Sequence, residues 1–323
     1  MAAGMGMVHE TAGGRNRESG ETARRPPYFF ENRVAIWFKF SPFFMKQTPR
    51  QYWIEQMDEA FAFMEAMRRY PLAECGERLV SLHEAAEGVE VLFSETLINN
   101  CFPRVYFVRE GLIGPFRAVA REMNERGWVL KVEDGYRSPE MQRAQSHNPA
   151  NFDRVLEKVI WELDGALPGP ELMLRRLSAL IATRCRVGTH VSGSAIDISV
   201  FDRSTGREIE RGGTYIEISE RTPLASPFVT PEQSANRVAI DAVMRRHGWF
   251  AYPYEFWHFS AGDCYAESLA GSGRAARYGA VRFDPASGTQ ALLAEEESDA
   301  LLEPLEFYRT QIEAALARKK GCA

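Results

Sequence analysis

The chain has 323 residues, of which 45% are hydrophobic and 26% are charged, and its formal net charge at pH 7 is −5. This composition is typical of a soluble globular protein with one large domain or two small ones, and the negative charge argues against a nucleic-acid partner. The sequence has no run of 18 apolar residues, so we expect neither a transmembrane helix nor a membrane partner.

The first 27 residues are rich in Gly, Arg and Glu, show no periodicity and predict a disordered tail. They lack the apolar core of a signal peptide, and two prolines rather than an apolar segment follow Arg24-Arg25. The five cysteines are odd in number and form no CxxC pair, which favours reduced thiols. We therefore expect a cytoplasmic protein.

The next segment, residues 28–87, is expected to form an N-terminal helical extension. An apolar stripe at helical spacing predicts a helix over residues 51–69 and is more typical of a core face than of a methionine-rich binding groove. An aromatic segment with a short strand at Val34–Phe40 is expected to pack across the domain at residues 28–45. A second helix is expected over Gly76–Glu87, and a strand at Val89–Phe93 follows the extension.

Residues 88–285 carry alternating helix and strand patterns. The first expected elements are a helix through Leu112–Met123 ended by Gly127, a strand at Trp128–Val132 and a helix capped by Ser138-Pro139 that ends near Gln145. Helices over 152–165 and 170–184 and a strand at Ala195–Phe201 follow. A long loop over 202–235 then leads to a helix capped by Asn236 and ended by Gly248, and to a strand-like run at Trp249–Phe259. Residues 286–323 predict a C-terminal helix, since apolar residues from Leu301 to Leu316 share one face and Lys319-Lys320 suit its negative end.

Two short stretches carry the candidate chemistry. His190, Gly193, Ala195 and Asp197 have the spacing HxxGxAxD, and ExWH follows at Glu255–His258. Two imidazoles and one carboxylate form a three-ligand site for zinc that leaves a fourth position open for water, as catalytic sites do. Glu255 is then a spare carboxylate that can move protons.

Strand geometry opposes this convergence, because residues of opposite parity point to opposite faces of a strand. We therefore expect the small residues before Asp197 to turn the backbone, and an irregularity at Phe256-Trp257 to bring Glu255 and His258 into one cavity. The remaining histidines (His9, His83, His147 and His247) have no partner motif, and Cys185 and Cys264 are interpreted as buried, inert thiols.

The motifs HxxGxAxD and ExWH, preceded by a strand that ends in Asp134-Gly135-Tyr136-Arg137, together resemble the D-alanyl-D-alanine dipeptidases of the vancomycin-resistance type. The resemblance covers about residues 88–285. It implies an α+β fold with a central antiparallel sheet, helices on its sides and a zinc site on the sheet, as in zinc carboxypeptidases of cell-wall metabolism and hedgehog-like domains. Helical segments would be added at both ends of the chain.

The resemblance also implies residue roles. His190, Asp197 and His258 would bind one zinc ion per chain, Glu255 would be the general base, and Arg137 would stabilise the developing negative charge. Glu217 matches the aspartate that holds the amino group of the substrate, and Tyr136 and Thr189 are further expected substrate-binding residues. The sequence departs from the family pattern at Gly188, where a serine is common.

The expected function is hydrolysis of a small dipeptide, D-Ala-D-Ala or a related D,D-dipeptide, in cell-wall biogenesis or degradation. Two alternatives stay open. One is a cell-wall D,D-carboxypeptidase or endopeptidase of the same fold, and the other is a non-catalytic zinc-binding module.

Overall fold

The computed structural model describes residues 47–321, which contain nine strands and ten α-helices. The strands are β1 (Leu79–Ser81), β2 (Val91–Phe93), β3 (Phe107–Arg109), β4 (Trp128–Asp134), β5 (Ala195–Asp202), β6 (Phe250–Ala251), β7 (His258–Ser260), β8 (Val281–Asp284) and β9 (Thr289–Leu292). The helices are α1 (Pro49–Met67), α2 (Leu82–Ala85), α3 (Ile113–Glu125), α4 (Pro139–His147), α5 (Pro149–Glu162), α6 (Pro170–Ile181), α7 (Pro231–Arg246), α8 (Cys264–Leu269), α9 (Glu295–Asp299) and α10 (Leu305–Gly321).

The central element is a five-stranded sheet with the order β2-β4-β5-β7-β6. The expected α+β class with helices beside a central sheet is confirmed. The pairs β4–β5, β5–β7 and β6–β7 are antiparallel. The edge pair β2–β4 is parallel, so the sheet is mixed rather than wholly antiparallel. A parallel pair needs a crossover, and α3 lies in the chain between β2 and β4.

The alternation of side chains along β5 separates the core from the site. Ile196, Ile198 and Val200 pack with apolar residues of α3 and α7 into the main hydrophobic core. Because successive side chains of a strand point to opposite faces, Asp197 lies on the other face of the sheet. The register of the sheet places Asp197 directly between Asp134 of β4 and His258 of β7.

Several sequence-based boundaries are close to those observed, and Ser138 caps α4 as expected, with Pro139 at its first position. The helix expected over Gly76–Glu87 was wrong, because this segment pairs with β3 through β1 and leaves only the short α2. That pairing partner lies far along the chain and leaves no local signal. The expected strand at Val34–Phe40, the aromatic segment at 28–45 and the tail at 1–27 lie outside the described residues.

The cap expected at Asn236 was also wrong. The helix begins six residues earlier, with Thr230 as N-cap, Pro231 at the first position and Gln233 completing a capping box. The Thr-Pro-x-Gln pattern is itself a start signal. The C-terminal helix begins at Leu305 rather than at Leu301, after the short α9. Among residues 47–321, none of the helices combines the length and the apolar character that crossing a membrane would require.

A buried ion pair fastens α1 to the rest of the domain. On α5, the Glu162 carboxylate accepts hydrogen bonds from the Arg176 guanidinium of α6, at 2.8 Å for Nε, and from the Trp53 indole of α1 at 3.2 Å. Arg176 also donates to Asp58 of α1 at 2.8 Å. Glu162 and Arg176 are both buried. Removal of one side chain would therefore leave the charge of the other in the protein interior, away from solvent.

We expect Glu162→Ala to lower the free energy of unfolding by about 3–5 kcal/mol, because it leaves the Arg176 charge buried without its main partner. Denaturant unfolding followed by circular dichroism measures the effect. Glu157→Ala is the matched control on the same helix, since Glu157 pairs with Lys319 at 2.9 Å on the surface and should change the stability by less than about 1 kcal/mol. Equal losses for the two variants would contradict the assignment of the buried pair.

A second charge cluster joins α3 to α7. The guanidinium of Arg246 holds the pKa of Glu122 down at about 2, against the opposing effect of partial burial, and His247 and Arg126 lower it further. A depressed folded-state pKa stabilises the fold above the unfolded pKa of Glu122 and loses that contribution as the pH falls through the folded value.

Glu122→Gln should therefore destabilise the protein at pH 7 by no more than about 1 kcal/mol, as expected for a solvent-facing ion pair. The difference from wild type should shrink from about pH 4.5 downwards and vanish near pH 2. Thermal unfolding as a function of pH measures it, with exposed Glu125 on the same helix as the control position. A difference that stays constant down to pH 2 would contradict this account.

Candidate metal centre

Three side chains expected from the motifs converge on one buried point. His190, Asp197 and His258 each offer one ligand atom, and these atoms lie within 4.8 Å of one another. His190 Nε2 lies 3.3 Å and His258 Nδ1 lies 2.9 Å from the same oxygen, Oδ1 of Asp197. Within residues 47–321, His190, Asp197 and His258 are the one group of histidine, cysteine or acidic side chains that is close enough to hold a metal ion.

A tight turn before β5 brings His190 and Asp197 together. Amide groups of Val191, Gly193 and Ser194 donate to the carbonyls of Gly188, His190 and Thr189 respectively, which folds the chain back before the strand begins. Gly193 has a φ of +68°, and a Cβ there would lie 2.9 Å from the Leu79 side chain, so glycine is strongly favoured at this position. The expected turn is confirmed, and strand alternation does not apply to His190 because it precedes the strand.

The donor set fits a zinc ion. The Nε2 atom of His190 is buried and has no hydrogen-bond partner among the described residues, although buried polar atoms are normally satisfied. Two ligands about 2.0–2.2 Å from a tetrahedral ion lie about 3.3 Å apart, which is close to the two distances measured to Asp197. Burial alone would raise the pKa of Asp197, but His190 and His258 hold it well below its usual value, so the ligand oxygen stays ionised.

The other nitrogen of each imidazole has a fixed partner. His190 Nδ1 lies 2.7 Å from the carbonyl oxygen of Gly135, and His258 Nε2 lies 2.8 Å from the hydroxyl of Thr189. The Gly135 carbonyl can only accept, so it places the His190 proton on Nδ1, whereas the Thr189 hydroxyl can accept a proton from His258 Nε2 and thereby supports the tautomer whose Nδ1 is free. His190 is thus free to bind a metal through Nε2, and His258 through Nδ1.

Arg137 lies beside the ligands and is held by carboxylates. Its Nε donates to Asp134 at 2.8 Å, and a terminal nitrogen lies 3.3 Å from Oδ2 of Asp197. A second guanidinium, that of Arg104, lies 3.3 Å from the same oxygen of Asp134. The charge of Arg137 is therefore fixed at the edge of the metal site, where a negative charge that develops in a reaction would meet it.

Glu255 lies in the segment that interrupts the strand-like run 249–259. This run forms β6 and β7 with a turn between them, in which Glu255 N donates to Tyr252 O at 3.1 Å. The expected irregularity at Phe256-Trp257 is confirmed. Burial raises the pKa of Glu255 well above its usual value, the Asp197 charge raises it further and Arg137 opposes both. Among residues 47–321 no hydrogen bond fixes the Glu255 carboxylate, so it remains available as a proton acceptor.

These residues line one cleft. Its wall includes the three candidate ligands, Arg137, Glu255, Thr189 and Glu217. Glu217 is already paired, since its Oε1 accepts from Arg221 at 3.0 Å and from the Ser219 hydroxyl at 2.5 Å. A substrate ammonium would have to share or displace these partners.

Tyr136 is the expected site residue that the structure does not bring into the cleft. Its hydroxyl donates to Val281 O at 2.9 Å and accepts from Phe283 N at 3.0 Å, and its ring packs against Phe283. Through these contacts Tyr136 fastens the β8–β9 hairpin to the end of β4, and it does not belong to the wall of the cleft that Arg137 lines. This placement argues against the substrate-binding role expected for Tyr136.

The cleft also contains residues that the motifs did not indicate. Met64 of α1, Gln142 of α4, Tyr215, Tyr252 and Tyr265 belong to its wall. These residues belong to helices and loops that are far apart in the sequence, so no local sequence pattern predicted that they would line the cleft. Asp134 was visible in the DGYR motif, but its role in holding Arg137 required the register of the sheet.

The weaker candidates have other partners. His147 lies 2.8 Å from Glu303, His247 lies 2.9 Å from Glu122, and His83 packs against Phe93 and Tyr106. Burial raises the pKa of the Cys185 thiol to about 11 and that of Cys264 further, which fits their interpretation as inert thiols. His9 lies outside the described residues.

Residues 171–270 match the model of the Peptidase_M15 family, which is described as D-ala-D-ala dipeptidase. The resemblance to D-alanyl-D-alanine dipeptidases is thereby confirmed. The matched segment contains all three candidate ligands and Glu255, whereas Arg137 and α1 precede it.

Named relatives agree with this match. The chain is 33% identical over 70 residues to a D-alanyl-D-alanine dipeptidase of Escherichia coli (strain K12), which covers 22% of this chain and 36% of the relative. It is 29% identical over 75 residues to one of Enterococcus faecium, which covers 23% and 37%. The chain thus spans about a third of the length of these relatives. A solved LdcB LD-carboxypeptidase is 18% identical, with a TM-score of 0.32 over 62% of this chain and 75% of that one.

Because the three ligand atoms already face one point, purified protein should hold about one zinc ion per chain. His190→Ala should reduce the stoichiometry to nearly zero, as measured by atomic absorption after dialysis. His147→Ala removes an exposed histidine that pairs with Glu303 and serves as the control. A His190→Ala protein that retains stoichiometric zinc would contradict the ligand assignment.

Proposed function

We propose that the protein is a zinc-dependent dipeptidase that hydrolyses D-Ala-D-Ala or a related D,D-dipeptide. The observation that carries the proposal is that Glu255 and Arg137 line the same buried cleft as His190, Asp197 and His258. A structural metal site needs neither a free carboxylate nor a guanidinium beside it. The names of the relatives support the substrate class.

The metal supplies activation of water and polarisation of the scissile carbonyl when it is bound to His190, Asp197 and His258. Glu255 accepts the proton of the attacking water and delivers it to the leaving amine. The raised pKa of Glu255, caused first by burial, suits a group that must hold this proton between the two steps. Arg137 stabilises the negative charge on the former carbonyl oxygen, because a guanidinium remains charged even when it is buried.

The substrate must be small. Glu217 provides a carboxylate in the cleft for the ammonium group of a dipeptide, and its present partner Arg221 is half-exposed and can turn to solvent. A polymer offers no free amine at this position, whereas a dipeptide does. The proposal includes the cytoplasmic location expected from the sequence, and it is supported by Cys75, Cys101, Cys185 and Cys264, which are free thiols.

Two alternatives make different demands on the cleft. A D,D-carboxypeptidase or endopeptidase of the cell wall would accept a substrate whose amino group is blocked, and pairing of Glu217 with Arg221 would then persist. A non-catalytic zinc module would bind the metal and hydrolyse nothing. The position of Glu255 in the cleft favours the enzyme, because none of the described residues 47–321 fixes its carboxylate by a hydrogen bond.

The test is a panel of free and blocked dipeptides assayed with zinc-loaded protein. We expect hydrolysis of D-Ala-D-Ala, slower or no hydrolysis of L-Ala-L-Ala, and little hydrolysis of N-acetyl-D-Ala-D-Ala. Preferential cleavage of the acetylated peptide would favour the carboxypeptidase. Full zinc occupancy without hydrolysis of any member would favour the binding module.

Glu255→Ala and Glu255→Gln should keep zinc and fold but lose about 10²–10⁴-fold in kcat, because the proton moves only in the transition state. Zinc content and turnover are measured on the same preparations. Glu303→Gln is the matched control, because Glu303 is paired with Arg143 and His147 and does not belong to the wall of the cleft. An active Glu255→Ala enzyme with normal zinc content would remove Glu255 from the mechanism.

A further inference from the structure

Thr189 contacts His258 of the candidate metal centre at the ring nitrogen that does not face Asp197. Its hydroxyl oxygen lies 2.8 Å from His258 Nε2, and both side chains are buried. On the other side of the ring, Nδ1 lies 2.9 Å from Asp197 Oδ1. Among residues 47–321, these two atoms are the hydrogen-bond partners of the imidazole, and aromatic rings of Tyr252 and His190 cover part of the remainder.

Only one tautomer of His258 allows it to ligate a metal beside Asp197. The nitrogen that faces Asp197 is Nδ1, so this atom must offer its lone pair and the proton must be on Nε2. A buried N–H needs an acceptor, and in the described part of the chain the Thr189 oxygen is the acceptor within reach. Without it, the proton is better placed on Nδ1, where it donates to Asp197 and blocks the metal.

The backbone around Thr189 keeps this oxygen in place. The Thr189 carbonyl accepts hydrogen bonds from the Ser192 hydroxyl at 2.7 Å and from the Ser194 amide at 3.2 Å. Ser194 in turn donates to the buried carboxylate of Asp263 at 2.6 Å. A threonine side chain also has few χ1 rotamers. The hydroxyl is therefore presented to His258 by a rigid turn.

We propose that Thr189 is a positioning residue, which holds His258 in the orientation and tautomer that ligate zinc through Nδ1. This role differs from the substrate contact expected from the sequence and does not exclude it. A hydroxyl has one proton and two lone pairs. When its oxygen accepts from His258, its own proton remains available to the cleft that Thr189 lines.

The experiment compares zinc affinities of wild type, Thr189→Val and Thr189→Ser by competition with a chromophoric chelator. Valine keeps the shape of threonine and removes the acceptor, so Thr189→Val should bind zinc about 10–100-fold more weakly. Serine keeps the hydroxyl, so Thr189→Ser should bind close to wild type. Thr183→Val is the matched control, because buried Thr183 bonds the Ser178 hydroxyl at 2.6 Å instead of a candidate ligand.

Thermal unfolding of the metal-free proteins shows whether Thr189→Val is folded. If that variant is unstable, the cobalt-loaded Thr189→Ser and wild-type proteins are compared instead, and the same visible ligand-field spectrum is expected of both. Wild-type zinc affinity in a folded Thr189→Val, or an altered spectrum in a stable Thr189→Ser, would overturn the positioning role.

The inference rests on the proposed function for its metal site alone, and the two can fail separately. Failure of the wild type to bind zinc would overturn both. If Thr189→Val binds zinc more weakly and the wild type hydrolyses no dipeptide, the positioning role stands and the proposed activity is wrong. Unchanged zinc affinity in an active enzyme would remove only the positioning role.

Discussion

The candidate centre depends on the register of three neighbouring strands. Asp134 of β4, Asp197 of β5 and His258 of β7 lie in one row across the sheet. A shift of β7 by one residue would replace His258 in that row with Phe259 or Trp257, since the side-chain period of a strand is two. Phe259, the neighbour of His258 on β7, opposes this shift because it is buried in the main hydrophobic core opposite Ile196 of β5 and would lose that place.

The row carries charges that depend on one another. Arg137 bridges Asp134 and Asp197, while Asp197 faces both histidines with its other oxygen. Such buried charges are costly unless each has a partner. A divalent cation at the convergence point would complete this balance, because it would take up the lone pair of His190 Nε2, which has no hydrogen-bond partner among the described residues.

The sequence predicted the parts of the site that local chemistry determines. HxxGxAxD and ExWH identified the residues that meet in the cleft, and the need for a turn and a strand break followed from parity alone. The sequence did not predict which way Tyr136 points, or that Thr189 contacts His258. Those facts depend on strand pairing between segments more than 60 positions apart, which no local pattern encodes. The strand β1 was mistaken for part of a helix because its partner β3 also lies outside its local sequence, with Leu79 opposite Arg109.

The residues that line the cleft come partly from the segment that matches the family model and partly from the chain before it. The ligands and Glu255 lie within residues 171–270, whereas Arg137, Gln142 and Met64 lie before them and still line the cleft. Met64 is fixed by the contact of its sulfur with the Tyr265 hydroxyl, which also donates to Val187 O at 2.7 Å. Helix α1 is itself held by the buried pair of Glu162 and Arg176. The candidate ligands and Glu255 are thus provided by the matched segment, whereas Arg137 and part of the cleft wall come from elements that precede it. In the proposed dipeptidase, a substitution at Met64 of α1 would therefore alter the cleft offered to a substrate while every motif residue is retained.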